Sequence, residues 1–598
     1  MQPRRRLNLF AFPPETNALF SMLILASIML ALFLGNVFRF YSRINDPLDS
    51  IDITARSLEI TRAYLPIICL SGMAAFGVLC LALLFYLRHP SQIRQRRKIQ
   101  GLTEKDKEIQ EHIGKLALQA GVDPPAIEMP PRGLRGSDAQ AFGVGRMQTI
   151  ALDGGFRILR KTKPDVFNAL LHHELAHFAN ADIGKSYFSD ALWKSIRWLL
   201  VFPFLFALAA IVIQGFFSGI LNGGQLQFAI AAVPGVIGLF GQWGFVLYIS
   251  GAIWARLLRT REFYADWRAA IWGSQNGLNK ILQEETEKEK PKTRFTVWEF
   301  HPDAKERINA LQYPAVLFNP SPTIIFLAGL LLSFIFAGLY FSFAAFLAFA
   351  GTILSIRDAS TGLSYWILTG IWWSGFAFLL LLVFGLTGWL INGVLLPQIQ
   401  KQAILHLLNK QGGLMQYARL GIPALTLVAG IELGFFMTPF SQLAPNDLLG
   451  ILIEIFTITP VLTCLAWWYL IYIKFVALQV SATQMGRNFS VWRNRFMISA
   501  SSLWIFLFFV PGIILTRFLD GSLQELFLYL NIGWLTFTLL LSPVVFGLTW
   551  AAIKLFFDNQ PKKCPHCGKN TGHAAPAVEF CEHCEHTLGE WLFVPEKA

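Results

Sequence analysis

A chain of 598 residues that is 54% hydrophobic and 15% charged, with 53 Phe and 18 Trp, is too apolar to be a soluble globular protein of that length. Its net charge of +12 comes with no nucleic-acid-binding motif, so nucleic acid is excluded as a partner and the charge is assigned to membrane topology and anionic lipid. The expected fold class is a polytopic α-helical membrane protein.

Crossing about 30 Å of hydrocarbon takes roughly 20 apolar residues. The first two such stretches are residues 17–38 and 64–87. Arg4, Arg5 and Arg6 precede the first, and Arg94, Arg96, Arg97 and Lys98 follow the second, which puts both flanks on the cytoplasmic side. The basic start and apolar run resemble a signal peptide, but the run is long and lacks a small-residue cleavage site, which makes residues 1–87 a two-span anchor.

Residues 88–196 are polar. Within them 103–120 reads as an amphipathic helix with Ile109, Ile113, Leu116 and Ala120 on one face, closed by Gly121, Pro124 and Pro125. Short strands are expected at Ala126 to Met129, Gln140 to Val144 and Thr149 to Leu152. Asp165 then opens a helix containing His173, Glu174 and His177, the His-Glu-x-x-His pattern of a zinc peptidase. At 3.6 residues per turn the two histidines stack on one face and can hold one Zn2+, with Glu174 beside them to act on a water.

Two more spans, 197–219 and 228–255, lead to a second polar stretch, 257–321. A catalytic zinc takes three protein ligands, and Glu262 is the natural third. Asp266, one turn on, can accept a hydrogen bond from a ligand histidine. The competing reading makes Glu262 and Asp266 charges at a membrane exit, balanced by Arg256, Arg259 and Arg261. Together 88–321 form one cytoplasmic α+β domain interrupted by two spans.

Six further spans are expected at 322–346, 366–396, 421–440, 448–476, 497–516 and 528–553, about ten in all. Lys401 and Lys410, then Arg487, Arg493 and Arg495, then Lys554, Lys562 and Lys563 fall on the cytoplasmic side with that count. Glu432 and Glu454 lie inside these spans, as functional groups or as partly exposed or paired ones. The tail, 557–598, carries Cys564, Cys567, Cys581 and Cys584 as two Cys-x-x-Cys knuckles, the spacing of a small zinc ribbon with a structural metal and a place for a protein partner. Cys69, Cys80 and Cys464 are expected in apolar cores.

The run from Ser137 to Asp182, the pair Glu262 and Asp266, and His301, Pro302 and Arg307 together resemble the membrane zinc endopeptidases that include HtpX and the CAAX prenyl proteases. The resemblance covers roughly residues 1–315. It implies zinc on His173, His177 and Glu262, with Glu174 as general base and Asp266 as a supporting carboxylate or proton donor. It implies that the strand near Gln140 to Gly143 pairs with an extended protein or peptide substrate, although the family's usual Asn is Gln140 here. It also suggests a bacterial inner membrane, with the catalytic domain and both termini cytoplasmic. His172 points off the ligand face, and His301 either approaches the reacting carbonyl or caps the loop beside Arg307. The alternative to an endopeptidase is a membrane scaffold or transporter-like module with an inactive or sensory peptidase-like domain.

Overall fold

The computed structural model describes residues 5–7, 14–45, 53–101, 106–130, 138–145, 147–202, 226–288, 301–313, 321–334, 390–409, 415–437, 459–484 and 593–595, with isolated residues elsewhere. The chain opens with strand β1 (Arg5–Leu7) and helices α1 (Glu15–Asn45) and α2 (Ile53–Arg97). A four-stranded sheet follows, built from β2 (Gln100–Gly101), β3 (Ala126–Met129), β4 (Ala139–Val144) and β5 (Met147–Leu152) in the order β2-β3-β5-β4. β3 runs parallel to β5 and the other pairs are antiparallel, which leaves β4 at an edge. The β4–β5 turn needs glycine: Gly143 has φ 150° and Gly145 φ 60°.

Helices α3 (Lys107–Gln119), α4 (Phe156–Thr162) and α5 (Pro164–Ala179) cover the sheet. Ile113 of α3, Ile150 and Leu152 of β5, Phe156 of α4, and Phe167, Leu171 and Leu175 of α5 form their shared core. Burial of each such side chain stabilises by about 1.5–3 kcal/mol. α5 begins with Pro164, whose missing N–H costs nothing in the first turn. The sequence places α3 to within four residues, β3, β4 and β5 to within two and the start of α5 to within one, while α4 is not expected from it.

Helix α6 (Ile183–Ile196) continues into a wide π turn at Arg197–Val201. Helix α7 is longer than its expected span, running without a break from Leu226 to Ala269. Neither Gly nor Pro occurs between Ala252 and Ala269, so the helical signal of the apolar run carries straight into the polar segment. A second wide turn at Ala270–Ser274, with Gly273 at φ 95°, folds α8 (Gln275–Lys288) back onto α5, and α9 (Ala304–Gln312) packs against α7 and α8. The α5–α8 contact is backbone-close: a Cβ at Gly277 would lie 2.5 Å from the Asp165 carbonyl oxygen.

A second core joins α1, α2, α6 and α7 to α10 (Pro322–Phe334). Leu19, Leu23 and Leu30 of α1, Ile253 and Leu257 of α7, and Leu330 of α10 are fully buried there, and the Trp193 and Trp254 rings stack at 5.6 Å. Further on lie α11 (Leu396–Asn409), α12 (Gly421–Met437) and α13 (Thr459–Gln484). α10 and α12 cross where Gly329, Gly430 and Gly434 let the backbones touch, the small-residue contact common between membrane helices. The last strand, β6 (Phe593–Pro595), pairs antiparallel with β1, Arg6 opposite Val594.

Among the described residues one helical stretch, Gly72–Arg97, is long and apolar enough to cross a membrane. Shorter apolar helices lie at Glu15–Ala31, Pro322–Phe334, Gly421–Gly434 and Leu462–Leu478. Most of the expected spans at 197–219, 366–396, 497–516 and 528–553 lie outside the described residues. Met73, Phe76, Leu83, Leu84 and Leu87 of α2 are all exposed, as are Trp198, Phe202 and Phe206 after α6. The cysteine expectation is corrected here: Cys80 and Cys464 are exposed, because an apolar helix has an outward face as well as a packed one. The side chains of Cys69 and Glu454 lie outside the described residues, whereas Glu432 is buried on α12.

Candidate metal centre

The centre forms where α5 crosses α7. His173 and His177 sit one turn apart on α5, their ring centroids 4.9 Å apart, as a spacing of four residues requires. α7 brings Glu262 up to both: its carboxylate oxygens lie 3.2 Å from Nε2 of His173 and 3.9 Å from Nε2 of His177. Glu174 offers a carboxylate oxygen within 4.8 Å of a nitrogen of each ring. His173, His177 and Glu262 are each less than a tenth exposed.

The opposite nitrogens are anchored. Nδ1 of His173 lies 2.9 Å from Oδ1 of Asp266, and Nδ1 of His177 lies 3.0 Å from Oδ1 of Asp182. Each carboxylate accepts the Nδ1–H, which orients the ring and turns Nε2 toward Glu262. Asp266 is gripped from its other side by Arg307, whose Nε and Nη2 each donate at 2.6 Å. Glu262 accepts a 2.9 Å hydrogen bond from Nε of Arg261.

These contacts set the charges. Burial pushes Glu262 upward, but Arg261 and the two imidazoles outweigh it and hold the carboxyl well below its ordinary range. Asp266 is likewise raised by burial and lowered further by Arg307 and His173. In the metal-free chain burial lowers His173, yet hydrogen bonds to Asp266 and Glu262 dominate and push it up to about 10. Burial raises Glu174, only partly offset by the histidines and by the Ala141 N–H that it accepts. A glutamate whose pKa is raised is a stronger base than a solvated one.

This donor set fits a zinc ion. Two imidazole nitrogens and one ionised carboxylate converge, their outer hydrogen bonds fix the ring orientation, and three protein donors are the number a catalytic zinc takes. The structure therefore brings together His173, Glu174, His177, Glu262 and Asp266. Of the competing charge balance only the Arg261–Glu262 pair forms: Arg256 pairs with Glu15, Arg259 with Glu306, and Asp266 with Arg307. His172 is buried off the ligand face, with Nδ1 2.6 Å from the Ser274 hydroxyl, and His301 is exposed.

Residues 103–315 match the family model of peptidase family M48. This stretch is an M48 peptidase domain. Every residue of the centre lies within it, whereas residues 316–598 lie beyond the match. No curated protein and no solved structure matches the chain.

The M48 domain includes contributors that sequence reasoning did not assign. Asp182 lies only five residues after His177, but reaches it because Ala181 turns the chain at φ 50°. Tyr187 of α6 donates to the Ala141 carbonyl at 2.7 Å and accepts from Nε2 of Gln140 at 3.1 Å. Burial pushes its phenol up to about 12, so it remains a neutral donor. In the tail, Cys567 and Cys584 are half-buried, and Cys564 and Cys581 lie outside the described residues.

Proposed function

We propose that the protein is an integral-membrane, zinc-dependent endopeptidase that hydrolyses peptide bonds of membrane or misfolded proteins at the cytoplasmic face. The observation that carries the reading is the convergence of both histidine Nε2 atoms on Glu262, with each Nδ1 held by its own aspartate and Glu174 alongside. His173, His177 and Glu262 would hold the ion. Zinc bound there supplies a water of lowered pKa and polarises a carbonyl. Glu174 removes a proton from the attacking water and passes it to the leaving amine. Asp266, tied to Arg307, keeps His173 in register, and Arg261 keeps Glu262 ionised.

Membrane insertion through about ten spans is part of the same proposal. Its support is the composition and the exposed apolar face of α2 and of residues 198–206. The basic end of α2 bonds directly to the sheet, Arg94 to Glu128 at 2.8 Å and Arg97 to Asp138 at 2.6 Å. With basic flanks facing inward, this supports a cytoplasmic peptidase domain, with both termini on the same side of a bacterial inner membrane. The domain division is proposed as 1–87, 88–321, 322–556 and 557–598, the last a ribbon closed by a second, structural zinc on the four cysteines.

The test is cleavage of reduced, unfolded casein by detergent-purified wild type and Glu174→Gln, with zinc content read on the same samples. Wild type is expected to cleave. The variant should be slower by at least about a hundredfold with its zinc retained, and His177→Ala should also lose the catalytic ion. Cleavage by Glu174→Gln at the wild-type rate overturns the mechanism. No cleavage by any form favours the scaffold or transporter-like alternative.

A further inference from the structure

The edge of β4 is held closed by the protein's own side chains. Asp153 N–H donates to the Asp138 carbonyl at 3.0 Å. Bonded pairs alternate along an antiparallel ladder, so Gln140, Phe142 and Val144 turn their peptide groups toward β5 while Ala141 turns both of its own to the outer edge. Both are taken. The Ala141 N–H donates to Oε2 of Glu174 at 2.6 Å, and the Ala141 carbonyl accepts the Tyr187 hydroxyl at 2.7 Å. Glu174 and Tyr187 thus supply the acceptor and the donor that one residue of a paired strand would present. Gln140 and the ring of His89, 4.1 Å away, hold Tyr187 in place.

We infer that Glu174 and Tyr187 form a backbone lock on β4, and that Tyr187 determines specificity by admitting only a substrate residue with a free N–H opposite Ala141. The inference rests on the peptidase reading and adds its substrate class: extended, unfolded backbone with no proline at that position. An incoming strand exchanges two hydrogen bonds for two. Its N–H replaces the Tyr187 hydroxyl on the Ala141 carbonyl, and its carbonyl replaces Glu174 on the Ala141 N–H. Glu174 is then released toward the reacting water, so the general base is freed only once a chain is aligned.

The test measures binding without hydrolysis, using full-length protein in detergent stripped of metal by a chelator. The probe is a fluorescein-labelled nonapeptide of alternating Thr and Val, followed by anisotropy, together with a series N-methylated at each position in turn. Tyr187→Phe keeps the ring against His89 but gives up the bond to Ala141, and is expected to bind the parent peptide about three- to tenfold more tightly than wild type. N-methylation is expected to weaken binding at alternate positions. If Tyr187→Phe does not fold, the N-methyl series on wild type decides by itself. Equal or weaker binding by the variant, a flat N-methyl series, or no binding up to millimolar peptide overturns the lock. If wild type then still cleaves casein and Glu174→Gln does not, the lock alone has failed; tighter binding by the variant with no cleavage by wild type sinks the peptidase reading instead.

Discussion

The imidazoles of His173 and His177 differ in what stands behind them. Asp266 supports His173 and also neutralises Arg307, while Asp182 supports His177 alone among the described contacts. Asp182→Asn is expected to weaken zinc binding about 10–100-fold, measured by competition with a chelator of known affinity. Asp266→Asn should lose as much affinity and also lower the unfolding temperature, since removing one partner of a buried ion pair costs about 3–5 kcal/mol. Equal thermal stability of the two variants would show that the Arg307 bond contributes little. His173, Glu174 and His177 were legible in the sequence because helical spacing groups them on one turn, whereas Glu262 and Asp266 were joined to them by the need for a third ligand and by the family resemblance. Asp182 was not, because its approach depends on a left-handed turn at Ala181, a conformation that alanine does not advertise. Tyr187 was hidden for a different reason, since its partner is a backbone atom on a strand distant in sequence.

At the scale of elements, the site depends on how closely α8 lies against α5. Gly277→Ala puts a methyl against the Asp165 carbonyl and the Ala169 side chain, forcing apart a helix that carries two ligands. A loss of about 1–3 kcal/mol is expected, read by thermal unfolding in detergent, with weaker zinc binding alongside. An unchanged midpoint would mean that α8 shifts freely and does not brace the ligand helix. α3 was legible from its apolar period of 3.6, and β3, β4 and β5 from short runs bounded by Gly and Pro, whereas the two-residue β2 was not. The extent of α7 was not: hydropathy ends where Arg256 begins, but helical propensity does not, so Glu262 sits on an unbroken continuation of an apolar helix. Any tilt of that helix therefore moves Glu262 relative to His173 and His177.

Over the whole molecule, the sequence separates apolar from polar stretches, and the family match at residues 103–315 falls on the part that carries the His-Glu-x-x-His motif. Most of the additional C-terminal region has no such reading, because hydrophobicity shows where a helix can run and not how helices pack. The membrane proposal predicts that the protein stays in the pellet after alkaline carbonate extraction of cells expressing it; release into the supernatant would refute it. The ribbon proposal predicts about two zinc ions per chain, falling to about one when Cys564, Cys567, Cys581 and Cys584 are all changed to Ser. Wild-type zinc content in that variant would remove the ribbon metal.

The pairing of β1 with β6 has a topological consequence. Pro595 lies opposite Arg5, with Phe593 opposite Leu7, so the two strands already have the register of a hairpin that lacks its turn. A two-residue Asn-Gly connection from Pro595 to Arg5 would supply that turn. A circular permutant joined there and reopened at another surface position should keep the zinc affinity of the native chain order.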